Sequence, residues 1–213
     1  MNHSIESIRD IYCVGRNYAK HAEELGNDIP DEPLLFSKPL SSLAFADGNE
    51  LTFPGSKGEV HYELELVLKI GKDVEEGDLL DDIVTEMALG IDLTLRDIQA
   101  QLKKKGHPWL RAKGFRNATI LSEFFPFPGE NELKQIPFSL VKQGETVQKG
   151  YSEQMIFSCS KLLEECQREF GLKKGDLLFT GTPEGVGPIQ NKDEFQMYFA
   201  GDLKGQFLVK IES

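Results

Sequence analysis

The 213-residue chain is 39% hydrophobic, enough apolar surface for a sizeable core, which argues against disorder. Its 35 acidic residues outnumber 24 basic ones to leave a formal charge of -11, which repels nucleic-acid phosphates and anionic membranes and makes neither an expected partner. An anionic substrate would need a metal ion or a few converging basic side chains to overturn that field locally.

In chain order, Met1 to Asp10 is polar and lacks the apolar run of a secretory signal, and no stretch reaches the roughly 18 apolar residues of a membrane span, so a cytoplasmic protein is expected. Ile8 to Val14 reads as a short strand, after which Gly15, Arg16 and Asn17 turn the chain into a helix over Tyr18 to Leu25, with Asn17 as its cap. Asn27 to Pro33 is loop, Leu34 to Phe36 a strand, and Pro39 to Lys57 turns and short extended pieces. Val60 to Ile70 is the clearest strand. Leu79 to Leu89 has helical spacing, and a second helix runs from Thr94 to Lys104, stopped by Gly106 and Pro108. Extended segments follow to Val141. Ser158 and Gly171 bracket a helix that places Leu162, Leu163, Cys166 and Phe170 on one face, and Leu177 to Thr180 and Phe207 to Ile211 are strands. Cys13, Cys159 and Cys166 lack CxxC spacing and read as buried thiols in a reducing compartment. With no repeat or linker, residues 1–213 form one β-rich α+β domain in this reading.

Within His61 to Ile70 the period of two sends Glu63, Glu65, Val67 and Lys69 to one face. Same-face neighbours on a strand lie roughly 6 to 7 Å apart, close enough for one cation to bridge, although alternating glutamates are ordinarily a solvated face. Asp92, between the apolar Met87 to Ile91 and a helix, is a third acid placed to turn inward. Three carboxylates suit a hard cation such as magnesium, manganese or calcium, and they leave octahedral positions for the carboxylate and carbonyl oxygens of a 2-oxo acid.

These acids belong to a wider set: Val14-Gly15-Arg16-Asn17-Tyr18 with His21 and Glu24; Phe36-Ser37-Lys38-Pro39; His61 to Leu66; Asp92-Leu93-Thr94-Leu95-Arg96-Asp97 with Gln99; Lys105 to Trp109 with Lys113; Met155 to Ser158; and Thr180 to Pro188. In this order they resemble the fumarylacetoacetate hydrolase family, especially its short acylpyruvate hydrolase and oxaloacetate decarboxylase type. The resemblance implies a mixed β roll, a homodimer, and a Mg2+ site (or Mn2+, with Ca2+ as a stand-in in a crystal) formed by Glu63, Glu65 and Asp92. It also implies that the extra amino-terminal domain of long relatives is lacking. The implied substrate is a small 2-oxo acid, handled through an enolate held on the metal. The foremost reactions are acylpyruvate C–C hydrolysis and oxaloacetate decarboxylation. Oxaloacetate tautomerisation or isomerisation of 2-hydroxyhepta-2,4-diene-1,7-dioate is the alternative, and a non-catalytic metal-binding protein is the reading of another class.

By the same resemblance His21 and Glu24, three apart on a helix and otherwise an exposed pair, become a water-activating base and its orienting carboxylate on a mobile lid. Lys113 stabilises a developing oxyanion, Gln99 orients substrate or water, and Arg16, Lys38 and Thr182 bind the substrate carboxylate. His61 is expected to support the acidic pair from outside, His107 and Trp109 to pack a loop, and Lys103 to Lys105 to supply charge at a helix end.

Overall fold

The computed structural model describes residues 7–24, 26 and 28–212. In chain order the strands are β1 (Ile11–Gly15), β2 (Leu34–Lys38), β3 (Leu43–Phe45), β4 (Asp47–Pro54), β5 (Val60–Tyr62), β6 (Leu64–Ile70), β7 (Val84–Asp92), β8 (Thr94–Leu95), β9 (Thr119–Leu121), β10 (Phe125–Pro126), β11 (Phe138–Lys142), β12 (Glu145–Gly150), β13 (Leu177–Phe179), β14 (Gly187–Pro188), β15 (Glu194–Phe199) and β16 (Asp202–Glu212). The helices are α1 (Ala19–Glu24), α2 (Leu80–Ile83), α3 (Arg96–Lys105), α4 (Leu110–Lys113), α5 (Glu130–Leu133) and α6 (Cys159–Phe170).

The largest sheet has the order β2-β1-β13-β6-β7-β9-β3, with β10 beside β7; a second runs β12-β11-β15-β16-β4, and a small third runs β14-β5-β8. The large sheet is mixed, since β1 pairs β13 in parallel while β6 pairs β7 antiparallel. Both its faces are covered. Leu64, Leu66, Leu68 and Ile70 of β6 pack in one apolar cluster with Leu162, Leu163 and Cys166 of α6, whereas Val67 joins Cys13, Ala88 and Phe179 in another.

That double burial explains where the sequence misleads. Leu79 to Leu89, expected as a helix, is the four-residue α2 followed by central strand β7. A strand buried on both faces loses its polar alternation and becomes a near-continuous apolar run, which periodicity does not distinguish from a buried helix. A Cβ at Gly90 of β7 would come within 2.4 Å of the Phe179 ring, so its bareness lets that ring reach across β6 from β13.

Other boundaries follow local chemistry. Ser158 Oγ accepts the Lys161 N–H at the start of α6, and Gly171, at φ 71, closes it in the left-handed region. Phe170 differs from the expected apolar face, being 47% exposed while stacked on Tyr12 with ring centroids 4.9 Å apart. The second predicted helix begins at Arg96, after the short β8, and ends at Gly106, at φ 65. The expected helix over Tyr18 to Leu25 is α1, whose last predicted residue lies outside the described set. No described helix is long and apolar enough to cross a membrane.

Candidate active site

The strand expected over Val60 to Ile70 breaks at Glu63, where the chain leaves β5 in the small sheet and enters β6 in the large one. Register then does the placing: Leu64 pairs with Ile91 and Glu65 with Gly90, and the Asp92 N–H donates to the Glu63 carbonyl at 2.9 Å. Glu63, Glu65 and Asp92 thus meet at the junction of two sheets, with one oxygen from each lying within 4.8 Å of the others. Their exposures of 5%, 2% and 0% exclude the solvated-face reading of the two glutamates.

Buried carboxylates require partners, and this cluster has them. Lys113, at the end of α4, donates to Glu63 Oε2 at 2.8 Å and Asp92 Oδ2 at 2.6 Å. Arg96, opening α3, donates to Glu63 Oε1 at 2.6 Å and to Gln99 Oε1 at 2.9 Å. Lys38 donates to Asp92 Oδ1 and to the Ala118 carbonyl. Glu65 receives instead the Gly181 N–H, at 2.7 Å.

The protonation balance follows from these contacts. Burial would raise Glu63, but Lys113 and Arg96 outweigh it and hold the group below the usual carboxylate range. Burial would lower Lys113, but Asp92 and Glu63 outweigh it and keep the ammonium charged. Glu65 is different: burial, then the charges of Asp92 and Glu63, push its carboxyl well above the usual range. Among the described residues, Glu65 alone of the three has no ion-pair partner of its own. Three converging hard oxygens, one of them without a cationic partner, fit a divalent cation, whose ligand oxygens at about 2.1 Å stand about 3 to 4 Å apart. Glu63, Glu65 and Asp92 are the residues that would hold it.

Around the triad is a narrow cavity of about 40 Å³ that Arg16, His21, Gln99, Lys103 and Thr182 also line, with Phe36 and Trp109 as an aromatic wall. His21 is buried, which lowers its pKa, and its Nδ1 stands 3.6 Å from Glu24 Oε2, with no hydrogen-bond partner among the described residues. Glu24 accepts the Gly185 N–H at 3.2 Å, so the end of α1 is tied to the loop that carries Thr182. Arg96 occupies the carbonyl of Gln99, which leaves the Gln99 NH2 as the group available to a ligand oxygen.

Three expected roles change. Lys38 does not line the cavity; buried and committed to Asp92 and backbone carbonyls, it positions a triad carboxylate and is not placed to bind substrate. His61 bonds Glu59 at 3.0 Å, and its hydrogen bonds do not reach the triad, because the break at Glu63 turns β5 onto another sheet. Asn17 does not cap α1; its amide donates to the Thr180 and Phe157 carbonyls and its oxygen accepts the Phe157 N–H, stapling the β1 end to the loop after β13.

Two residues given no role in the sequence complete the frame. Arg96 carried a signal, four residues beyond Asp92 at a helix start. Gln148 of β12 carried none: it reaches from the second sheet to accept the Leu64 N–H at 2.9 Å and to donate to Thr182 Oγ1 at 2.9 Å and Pro183 O at 3.0 Å. It thereby fixes the peptide between Glu63 and Glu65. Because Thr182 Oγ1 accepts this bond, its own hydrogen is left to donate toward the cavity.

The family model for the fumarylacetoacetate (FAA) hydrolase C-terminal domain matches residues 10–207. The chain belongs to this family. Its β-rich α+β architecture is the FAA hydrolase C-terminal fold, as the resemblance implied. Among curated FAA hydrolase relatives, oxaloacetate tautomerase YcgM of Escherichia coli K12 is 39% identical over 199 residues, 91% of this chain and 90% of that one. Mitochondrial oxaloacetate decarboxylase of Dictyostelium discoideum is 39% identical over 192 residues, with 89% and 88% covered. Among solved structures, fumarylpyruvate hydrolase of Pseudomonas aeruginosa, in complex with Mn2+ and pyruvate, superposes with a TM-score of 0.89 at 34% identity, covering 96% of this chain and 91% of that one. The FAA hydrolase relatives are thus enzymes named for oxaloacetate and acylpyruvate chemistry, and a divalent metal agrees with both the Mn2+ complex and the acidic triad here.

Proposed function

We propose that the protein is a divalent-metal-dependent enzyme of small 2-oxo acids whose principal reaction interconverts the enol and keto forms of oxaloacetate. The observation that carries this reading is the buried triad of Glu63, Glu65 and Asp92 with Lys113 hydrogen-bonded to two of its carboxylates, in the cavity that His21 also lines. When bound, the ion would draw electron density from the carboxylate and 2-oxo oxygens and so stabilise the enolate common to these reactions. Lys113, anchored to two carboxylates, is a fixed positive charge beside that oxygen and needs no reorganisation as negative charge develops. The Thr182 hydroxyl donates to the substrate carboxylate, and the Gln99 NH2 orients the neighbouring oxygen. His21, whose pKa burial lowers, is the base that accepts the C3 proton in the keto-to-enol direction and, as the imidazolium so formed, returns a proton to C3 in the opposite direction. Tautomerisation balances with no other reactant: the hydroxyl proton of the enol leaves and one proton is added at C3.

The curated oxaloacetate tautomerase relative supports this choice of reaction. A second reading, C–C hydrolysis of acylpyruvates, is favoured by the proximity of His21 to Glu24 and by the fumarylpyruvate hydrolase neighbour. The assay follows the ultraviolet absorbance of enol-oxaloacetate, and pyruvate release from oxaloacetate and acetylpyruvate, with Mg2+ and after chelation. Mg2+-dependent loss of the enol absorbance without matching pyruvate supports tautomerisation, whereas pyruvate from acetylpyruvate at a higher kcat/KM supports the second reading. No Mg2+-dependent change with either compound would contradict both.

A further inference from the structure

Across the aromatic wall from the catalytic cavity lies a larger pocket of about 450 Å³. Leu34, Leu35 and Phe36 of the edge strand β2 line one side, and Pro108, Trp109 and Leu110, where α3 gives way to α4, line the other. Phe36 and Trp109, tilted at 56° with ring centroids 5.7 Å apart, line both spaces and so divide them. Leu34, Leu35, Phe36 and Trp109 are only half-buried and Leu110 is 58% exposed, so a guest would remove further apolar surface from water. Size and lining are those of a small-molecule site, for which about 300 to 1,000 Å³ of mainly apolar and aromatic surface is usual. Charge narrows the guest. Within two residues of the lining segments stand Lys104, Lys105 and Arg111, none with an ion pair among the described residues, whereas Lys38 is committed to Asp92 and Glu32 is the one acid. A positive rim in a chain of net charge -11 favours an apolar anion over an apolar cation.

The dividing wall also holds Lys113. The Trp109 carbonyl accepts the Ala112 N–H at 2.8 Å and the Lys113 N–H at 3.0 Å, which sets the turn of α4. The Lys113 ammonium lies 5.0 Å from the centre of the Phe36 ring while it bonds Glu63 and Asp92. We infer that this pocket binds a small apolar anion, an alkyl or aryl chain ending in one acidic group, and that its occupancy is coupled through Trp109, Phe36 and Lys113 to metal binding at the triad. The inference rests on the triad as a metal site and not on which reaction the protein runs. Such coupling is reciprocal: guest and metal change each other's affinity by the same factor.

Trp109 is the only tryptophan in the sequence, so its fluorescence reports on the pocket. The probe is 1-octanesulfonate, whose sulfonate is a poor ligand for Mg2+, with octylamine as its cationic counterpart. Both are titrated by Trp109 emission with and without Mg2+, and Mg2+ is titrated by calorimetry with and without octanesulfonate. Octanesulfonate should give a saturable change with a Kd of about a millimolar or below, the scale that burial of such a chain supports, and octylamine should bind about tenfold or more weakly. Mg2+ should change the octanesulfonate affinity about threefold or more, with an equal change in Mg2+ affinity by calorimetry. Leu110→Glu, at an exposed position, should weaken octanesulfonate about tenfold or more and leave Mg2+ affinity without octanesulfonate as in the parent. No saturable change, equal binding of octylamine, undiminished binding in Leu110→Glu, or octanesulfonate affinity indifferent to bound Mg2+ would overturn the inference. Trp109 emission that follows protein concentration instead of octanesulfonate would put a second copy of the chain in the pocket and also overturn it. Octanesulfonate binding that Leu110→Glu removes, in a protein that takes up no Mg2+, would support the pocket and count against the metal reading alone.

Discussion

Glu65 separates a metal site from a static knot of salt bridges. Glu63 and Asp92 have ammonium or guanidinium partners, whereas Glu65 has the Gly181 N–H and, among the described residues, no cation. Its folded pKa is raised above the ordinary 4.5, so its contribution to stability is complete below that value and is lost as pH rises through the folded value. The ion-free protein should therefore lose Tm as pH rises above the ordinary 4.5, while the Mg2+-loaded protein, in which the group is ionised and paired, should lose less. Calorimetric scans of both forms check this; Glu65→Gln should flatten the ion-free curve, and parallel curves for parent and variant would count against the assignment. His21 gives the second prediction at this scale. Burial depresses its pKa below 6.5, so the neutral base should persist and the acid limb of kcat/KM should fall below that pH. His21→Ala should retain Mg2+ affinity by titration while kcat falls about 10²- to 10⁴-fold; undiminished turnover would remove its role. The triad was legible because acids between apolar residues stand out in one dimension. Lys38 and His61 were misplaced because a side chain's partner depends on which strand lies opposite it, and for Asp92 that partner comes from β2, more than fifty positions away.

At the scale of elements, the site is a set of strand ends held by polar clamps from elsewhere in the chain. Gln148 is one: Gln148→Leu would leave the buried Leu64 N–H and Pro183 carbonyl without their partner, which should cost about 1 to 3 kcal/mol of stability and weaken Mg2+ binding through the displaced Glu63 and Glu65. Denaturant unfolding and metal titration measure the two effects; loss of stability with metal affinity intact would make Gln148 a scaffold residue only. Gly181 is another, at φ 94 with a would-be Cβ only 2.7 Å from Asn17 Cβ, so Gly181→Ala should both destabilise the fold and shift the N–H that serves Glu65. The caps of α6 were plain in the sequence because Ser158 and Gly171 act on their own backbone neighbours. Strand β7 is not legible, because burial on both faces erases its alternation, and Asn17 reads as a cap in one dimension because its partners, at Phe157 and Thr180, are supplied by other elements.

Across the whole molecule, a chain of net charge -11 concentrates Arg16, Arg96, Lys103 and Lys113 around one acidic cavity at the meeting of its large and small sheets. Folding and ion binding are therefore linked: Mg2+ or Mn2+ at about a hundred times its Kd should add about 2.7 kcal/mol to stability, and chelation should remove it. The most direct measurement is anomalous diffraction from crystals grown with Mn2+. A divalent-metal site at the triad requires one strong peak bonded to Glu63, Glu65 and Asp92 oxygens at about 2.1 to 2.2 Å, absent in Asp92→Asn crystals prepared alike. Crystals of the parent protein with no Mn2+ peak at these three carboxylates, at a concentration that fills other divalent sites, would contradict it.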